Sequence, residues 1–214
     1  MTNPEMIAAT KGVLWNLLYT SWITTELFSF TWWFTILFLF ASYFIWWKLL
    51  DKSKLIELLL FGSLLAVMSA VVDTIADNLL LWQYLVRIFP FTPGFFPFHL
   101  TLAPILLMIV YQYSDNWSKY LIGTVFAGAI YCFVIAPLFV AIGEVRLLNW
   151  NHGYTFITFI TRAMIARWIV ILCKQIQCTY EGQSESSHRF TPIFQPTAKP
   201  MASMKDDKED RPDK

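Results

Sequence analysis

Charge is what this sequence has least of. Asp, Glu, Lys and Arg make up 14% of its 214 residues, where a soluble domain carries about a quarter. Fourteen of these 31 residues fall after position 173, so the first 173 residues hold only 17. With 57% apolar and 18% aromatic residues, the chain has too little polar surface to cover itself in water. That excludes a soluble enzyme. The net charge of +1 leaves no face basic enough to neutralise several phosphates, so no nucleic-acid partner is expected. Cysteine is also scarce: Cys132, Cys173 and Cys178 form no CxxC pair. A disulfide framework or zinc site needs more ligands at closer spacing, so neither a metal nor a cofactor is expected. No cleavable signal peptide is read at the start, where Lys11 and Glu26 interrupt the first apolar stretch without a small-residue cleavage site.

What the chain does have is long uncharged runs, at 27–47, 58–72, 88–114, 120–143 and 147–161. A helix crossing a bilayer needs about 20 mostly apolar residues, and the runs predict spans over 31–48, 55–78, 98–114, 119–141 and 154–173. Trp32, Trp33, Trp46 and Trp47 bracket the first like interfacial belts. Pro104 predicts a kink in the third, and Pro137 falls near the end of the fourth. The fold class expected is all-α, an integral membrane bundle of about five transmembrane helices over 31–173. An interfacial segment (1–30) precedes it, since the Thr, Ser and Lys of 6–26 suit an amphipathic surface helix better than a span. A disordered tail (174–214), rich in Ser, Pro and charge, follows it.

Basic residues set the orientation. Lys48, Lys52 and Lys54 lie between the first two spans, Lys119 between the third and fourth, and Lys174 after the fifth. The other side has Lys11, Arg87 and Arg146, one per segment. Positive residues favour the cytoplasm, which puts the N-terminus outside and the C-terminus inside. Residues 79–97, with Pro90, Pro93, Gly94 and Pro97, break a helix yet are too apolar for a solvated loop. They read as an aromatic cover in the outer interface, anchored by Trp82, Tyr84 and Phe89.

Ionisable residues inside spans usually face the bundle interior or a cavity. In the second span Gly62, Ala66, Ala70 and Thr74 form a small-residue stripe suited to close helix packing. Asp73 and Asp77 fall in the same sector, one turn apart. At 1.5 Å per residue Asp73 lies roughly 8 Å from the outer end of its helix, and Arg162 roughly 12 Å deep in the fifth. An ion pair between them is feasible in depth. His99 at the start of the third span and Glu144 at the end of the fourth join them on that side, followed by Asn149, Trp150, Asn151 and His152. Three roles are open to the cluster Asp73, Asp77, His99, Glu144 and Arg162: mutual pairing that fixes helix register, a ligand, lipid-headgroup or ion site, or acid–base chemistry. No spacing marks a catalytic set. Arg167 is expected to snorkel to headgroups, Tyr111, Gln112 and Tyr113 to anchor an interface, and Gly123 with Ala127 to pack closely. His152 and His188 read as solvated.

Several stretches in order carry a resemblance: Trp46-Trp47-Lys48-Leu49-Leu50-Asp51-Lys52, Asp73-Thr74-Ile75, Leu81-Trp82-Gln83-Tyr84 with Pro90, Pro104 with Tyr111-Gln112-Tyr113, and Asn149-Trp150 with Tyr154. Over about residues 15–172 the chain resembles a family of short multi-pass membrane proteins, of uncharacterised activity, from spore-forming Gram-positive bacteria. It departs from that pattern at Ala76-Asp77 (Ile/Leu-Gly expected), at His99 and at Ala136 (an acid expected at each). The resemblance implies a bacterial plasma membrane.

Three functions compete. The first is a non-enzymatic accessory or sensory component, in contact with membrane lipid and with an unidentified membrane or cytoplasmic protein partner through its tail, where Phe190 and Phe194 hint at docking. The second is a small transporter or ion-coupled carrier using Asp73, Asp77 and Arg162, although no paired repeat is visible. The third is a membrane-embedded enzyme acting on a lipid or isoprenoid, which requires a cavity reaching the aspartates.

Overall fold

A computed structural model describes residues 2–90 and 98–188, with side chains over 2–90 and 100–180. The chain divides into Met1–Lys174 and Gln175–Lys214. The described part of the second unit is helical as far as His188, so the tail expected from 174 begins as helix. Residues 189–214, with Phe190 and Phe194, lie outside the described residues, as do Pro93, Gly94 and Pro97.

The first unit is an all-α bundle. Helix α1 (Asn3–Ser21) starts where the Glu5 carboxylate accepts the Thr2 N–H at 2.8 Å, and it buries none of its residues. A π-helical turn, Trp22–Glu26, leads to α2 (Phe30–Leu49), capped by Ser29, whose hydroxyl accepts the Trp32 N–H. Then come α3 (Leu55–Asn78), α4 (Ala103–Gln112), α5 (Trp117–Ile130), α6 (Ala136–Ala141) and α7 (His152–His188).

Four helical stretches are long and apolar enough to cross a membrane: Phe30–Leu49, Lys52–Asn78, Trp117–Ala141 and His152–Tyr180. They match four of the five expected spans. The third is corrected: its apolar helix is Leu100–Gln112, which at 1.5 Å per residue rises about 20 Å, short of the ~30 Å hydrocarbon layer. This short helix is central instead. It buries Ala103, Pro104, Ile105, Leu107, Met108, Tyr111 and Gln112, nearly its whole circumference, as a helix apolar on all sides must.

Both prolines follow π-helical turns. Phe98–Leu102 precedes Pro104, and Tyr131–Ile135 separates α5 from α6 just before Pro137. Proline lacks an N–H and its ring crowds the carbonyl four residues back. The wider turn relieves both problems, so the expected kink takes the form of a π turn.

The core forms where α3 and α5 pack on α4, with α7 set against α3 and α5. Gly62 permits the closest approach: a Cβ there would stand 2.7 Å from Met108 Sδ. Phe61 stacks on Tyr111 with ring centroids 4.5 Å apart. Gly123 meets Val110, and Ala127 is buried. From α7, Phe159, Ala163, Ala166 and Val170 face inward, and the Ala163 carbonyl accepts the Tyr120 hydroxyl at 2.8 Å.

One element has no counterpart in the all-α reading. Trp82–Tyr84 (β1) and Val145–Leu147 (β2) pair antiparallel, Trp82 opposite Leu147 and Tyr84 opposite Val145. Matching helix ends launch the two strands. After α6, Gly143 at φ +77° lets the Glu144 N–H reach the Phe139 carbonyl and its own N–H reach Val140. After α3, Leu80 at φ +53° gives the same pair of bonds, Leu81 to Ala76 and Leu80 to Asp77. Each is a Schellman cap, which satisfies terminal carbonyls while reversing the chain. The resulting ribbon lies over one end of the bundle, the ribbon end. Lys52, Lys54, Lys119 and Lys174 mark the other, the lysine end.

Candidate functional site

Asp73 is the centre of the ribbon end. The buried face of α3 comprises Leu58, Phe61, Gly62, Leu65, Ser69, Asp73 and Ala76, one sector at about 100° per residue. It runs along Phe61, Leu65, Ser69 and Asp73 rather than along the expected small-residue stripe, whose Thr74 is exposed. Large neighbours on α4 and α7 need a broad apolar face, which the small residues alone do not supply. Asp73 is fully buried. Its Oδ1 accepts the Trp82 indole N–H at 3.1 Å and the Tyr84 hydroxyl at 2.9 Å. β1 is thereby fastened to α3 through two side chains on one face of the strand, with Gln83 between them facing outward. The expected role of Trp82 and Tyr84 as headgroup anchors is corrected: both are buried. Burial, together with the Asp73 carboxylate, holds the Tyr84 phenol well above its ordinary range.

Beside this anchor lies a cavity of about 70 Å³. Trp82, Tyr84, Tyr131 and Trp150 supply aromatic walls, His152 and Thr155 its polar rim, and α6 and β2 its aliphatic side. Trp82 and Trp150 stand nearly perpendicular, at 70° with centroids 5.4 Å apart. Tyr131 is backed by Phe159, stacked at 5.1 Å. The Trp150 N–H donates to Thr155 Oγ1 at 2.9 Å. The Tyr131 hydroxyl, in a side chain only 3% exposed, makes no hydrogen bond among the described residues. The cavity therefore opens onto the donors that hold Asp73, and the carboxylate stands behind them.

Glu144 occupies a separate position. It is 1% exposed, its carboxyl accepts the Thr35 hydroxyl from α2, and its carbonyl accepts the Leu85 and Val86 N–H groups. Burial pushes its carboxyl up to about 8, against a smaller lowering by Thr35. Next to it is an ion pair that the sequence reading did not single out. Arg87 grips Glu26 with Nη2 on Oε1 at 2.7 Å and with Nε and its backbone N–H on Oε2 at 3.1 and 2.9 Å. Ser21 adds a fourth donor, and the Trp22 and Trp32 indoles donate to the carbonyls at 87 and 88. The one signal available was that Glu26 and Arg87 are isolated opposite charges in apolar surroundings.

The remaining members of the expected cluster are held as follows. Arg162 is buried, but its Nη1 donates to Ser69 Oγ at 2.7 Å and its Nε to the Thr158 carbonyl, one turn back. No ion pair joins it to Asp73 among the described residues. Asp77 lies at the rim of the α3 face, half-buried, and makes no side-chain hydrogen bond among the described residues. The His99 side chain lies outside the described residues. Asp73, Asp77 and Arg162 remain close enough to act on one another electrostatically, but Asp73 and Arg162 direct their hydrogen bonds to different neighbours.

Arg167, at the lysine end, also needs correction. It does not snorkel: it is 5% exposed, with its guanidinium 4.4 Å from the Tyr120 ring, 5.2 Å from Trp117 and 5.4 Å from Tyr111, and it donates to the Ser114 carbonyl. Tyr111 and Gln112 are likewise buried rather than interfacial, and Tyr113 is exposed. Tyr111 donates to Glu57, whose other oxygen pairs with Lys174 at 2.8 Å.

Among the described residues, no three of His, Cys, Asp and Glu are grouped to hold a metal ion. Comparison of the chain with protein families, characterised proteins and solved structures gives no match.

Proposed function

We propose that this chain is a non-enzymatic accessory or sensory component of a bacterial plasma membrane, with its ribbon end as a small recognition head. The observation that carries this reading is the fastening of β1 to Asp73 beside an aromatic-walled cavity. A lid held by buried hydrogen bonds over a preformed cavity suits binding. Asp73 and Glu144 take their hydrogen bonds from different donors, which does not favour a working pair of carboxylates, since acid–base chemistry needs both within reach of one reacting atom. Four apolar helices of spanning length support an integral membrane location. The lysines gathered at one end support that end as cytoplasmic and with it a ribbon end that faces outward. The resemblance to short multi-pass proteins of spore-forming Gram-positive bacteria supplies the membrane's identity.

Two measurements test this. Protein in vesicles should show no flux of any solute in a broad panel, while members of that panel that bind raise its melting temperature. Flux of a bound solute would replace the sensory reading with a carrier. Cys173 is exposed on α7 near the lysine end, so in a Cys178→Ser variant a membrane-impermeant thiol reagent should spare it in intact cells and label it in inverted vesicles. Labelling in intact cells would reverse the orientation.

A further inference from the structure

We infer that the cavity under the ribbon binds a quaternary ammonium group; this rests on the recognition reading above and adds the chemical class. The argument starts from what the walls can offer. The polar atoms of three aromatic walls are already engaged within the protein, Trp82 and Tyr84 on Asp73 and Trp150 on Thr155. What these rings present to a guest is π surface. A guest that needs several hydrogen bonds would lose its water without replacement. A cation without N–H groups loses little, because its hydration is weak and aromatic faces attract it electrostatically.

Among the described residues no Lys or Arg lines the cavity, and Asp73 stands behind two of its walls, accepting from Trp82 and Tyr84. A phenol or indole that donates to a carboxylate gains electron density in its ring, which strengthens its pull on a cation. The perpendicular Trp82 and Trp150 form two faces of a box, Tyr84 and Tyr131 add further walls, and the unbonded Tyr131 hydroxyl can receive a polar substituent of the guest. Size agrees. A single water needs about 10–15 Å³ of such space, so about 70 Å³ holds a small group and no large one. The group arrives on a free solute or on a lipid head, since the chemistry of both is the same.

The test uses the full chain in nanodiscs of phosphatidylglycerol, titrated with tetramethylammonium, choline and 3,3-dimethylbutan-1-ol, the neutral isostere of choline. Binding is read by tryptophan fluorescence and melting temperature. The expected result is saturable binding of both cations, with the isostere weaker by about tenfold or more. Trp150→Leu should weaken choline by about tenfold, and Tyr131→Phe should spare tetramethylammonium while weakening choline. In nanodiscs containing phosphatidylcholine, a lowered apparent affinity for free choline assigns the site to lipid heads, and an unchanged one assigns it to free solutes. Equal binding of the isostere overturns the cation and leaves the recognition reading standing. No binding of either cation overturns the inference, and the recognition reading then stands or falls on the wider solute panel. The isostere comparison needs no variant, so a misfolded Trp150→Leu protein does not weaken it.

Discussion

At the lysine end, Glu57 is 20% exposed and pairs with a Lys174 side chain that is 54% exposed, while Arg167 lies among three rings. At the ribbon end, Asp73 and Glu144 are at most 1% exposed and take hydrogen bonds from the neutral donors Trp82, Tyr84 and Thr35. The contrast follows from side-chain reach. Lysine carries its charge on a long stem that finds the bundle's edge. An aspartate has one methylene and cannot leave the helix it sits on, so the chain must bring donors to it. The ribbon does this, and the Schellman turns after α3 and α6 put it in place. An end built that way is rigid and has shaped space beside it. An end built from long flexible cations is held by many weak contacts.

The strongest way to break this comparison is at Glu26–Arg87. Arg87→Met leaves the 2%-exposed Glu26 side chain without its cation, and breaking a buried pair from one side costs about 3–5 kcal/mol. Thermal unfolding in detergent should show it as the largest loss in either region. Asp73→Leu comes next, because it removes the one acceptor that the Trp82 N–H and Tyr84 O–H share, and an unmet buried donor costs about 1–3 kcal/mol. Asp73→Asn keeps an acceptor and should cost less, and near-ultraviolet dichroism of Trp82 should separate the two variants.

Glu144 gives a smaller effect and one that depends on pH. Its carboxyl keeps its proton up to about 8 in the folded protein, against an ordinary 4.5 when unfolded. Between those values the folded state binds the extra proton, so stability should fall as pH rises from about 4.5 to about 8 and level off above. Glu144→Gln, which keeps a neutral acceptor for Thr35, should flatten that slope and change stability at pH 6 by only about 1 kcal/mol. A slope that survives the substitution would point to another group. The smallest effect belongs to the lysine end: Lys174→Ala should cost under about 1 kcal/mol and vanish in high salt, as partly exposed pairs do. A loss as large as that of Arg87→Met would erase the difference between the ends.

How much of this could be read from the residues depends on the range of the interaction. Phe30–Leu49, Lys52–Asn78, Trp117–Ala141 and His152–Tyr180 follow from apolar runs, since a run of about 20 such residues has few other stable fates. Asp73 was legible as an inward-facing residue for the same reason. Its partners were not. Trp-Gln-Tyr and Val-Arg-Leu do alternate as strands, but three residues of alternation are too few to announce a strand, and 60 residues of sequence separate the two. The shortness of α4 was hidden because its composition resembles that of a span. Arg167 was misread because a lone arginine near a helix end reads as snorkelling unless its aromatic neighbours on α4 and α5 are known.

Composition and periodicity therefore determined the class, a polar-poor bundle of spanning helices whose buried acids face inward, because partition between oil and water acts on each segment by itself. Tertiary structure alone decided which donors each acid meets, that Arg162 turns to Ser69 and Glu26 to Arg87, and that a cavity remains beneath the ribbon. Those outcomes depend on helix rotation and on where two chain reversals point, quantities that come from contacts between segments far apart in sequence and that no single segment encodes.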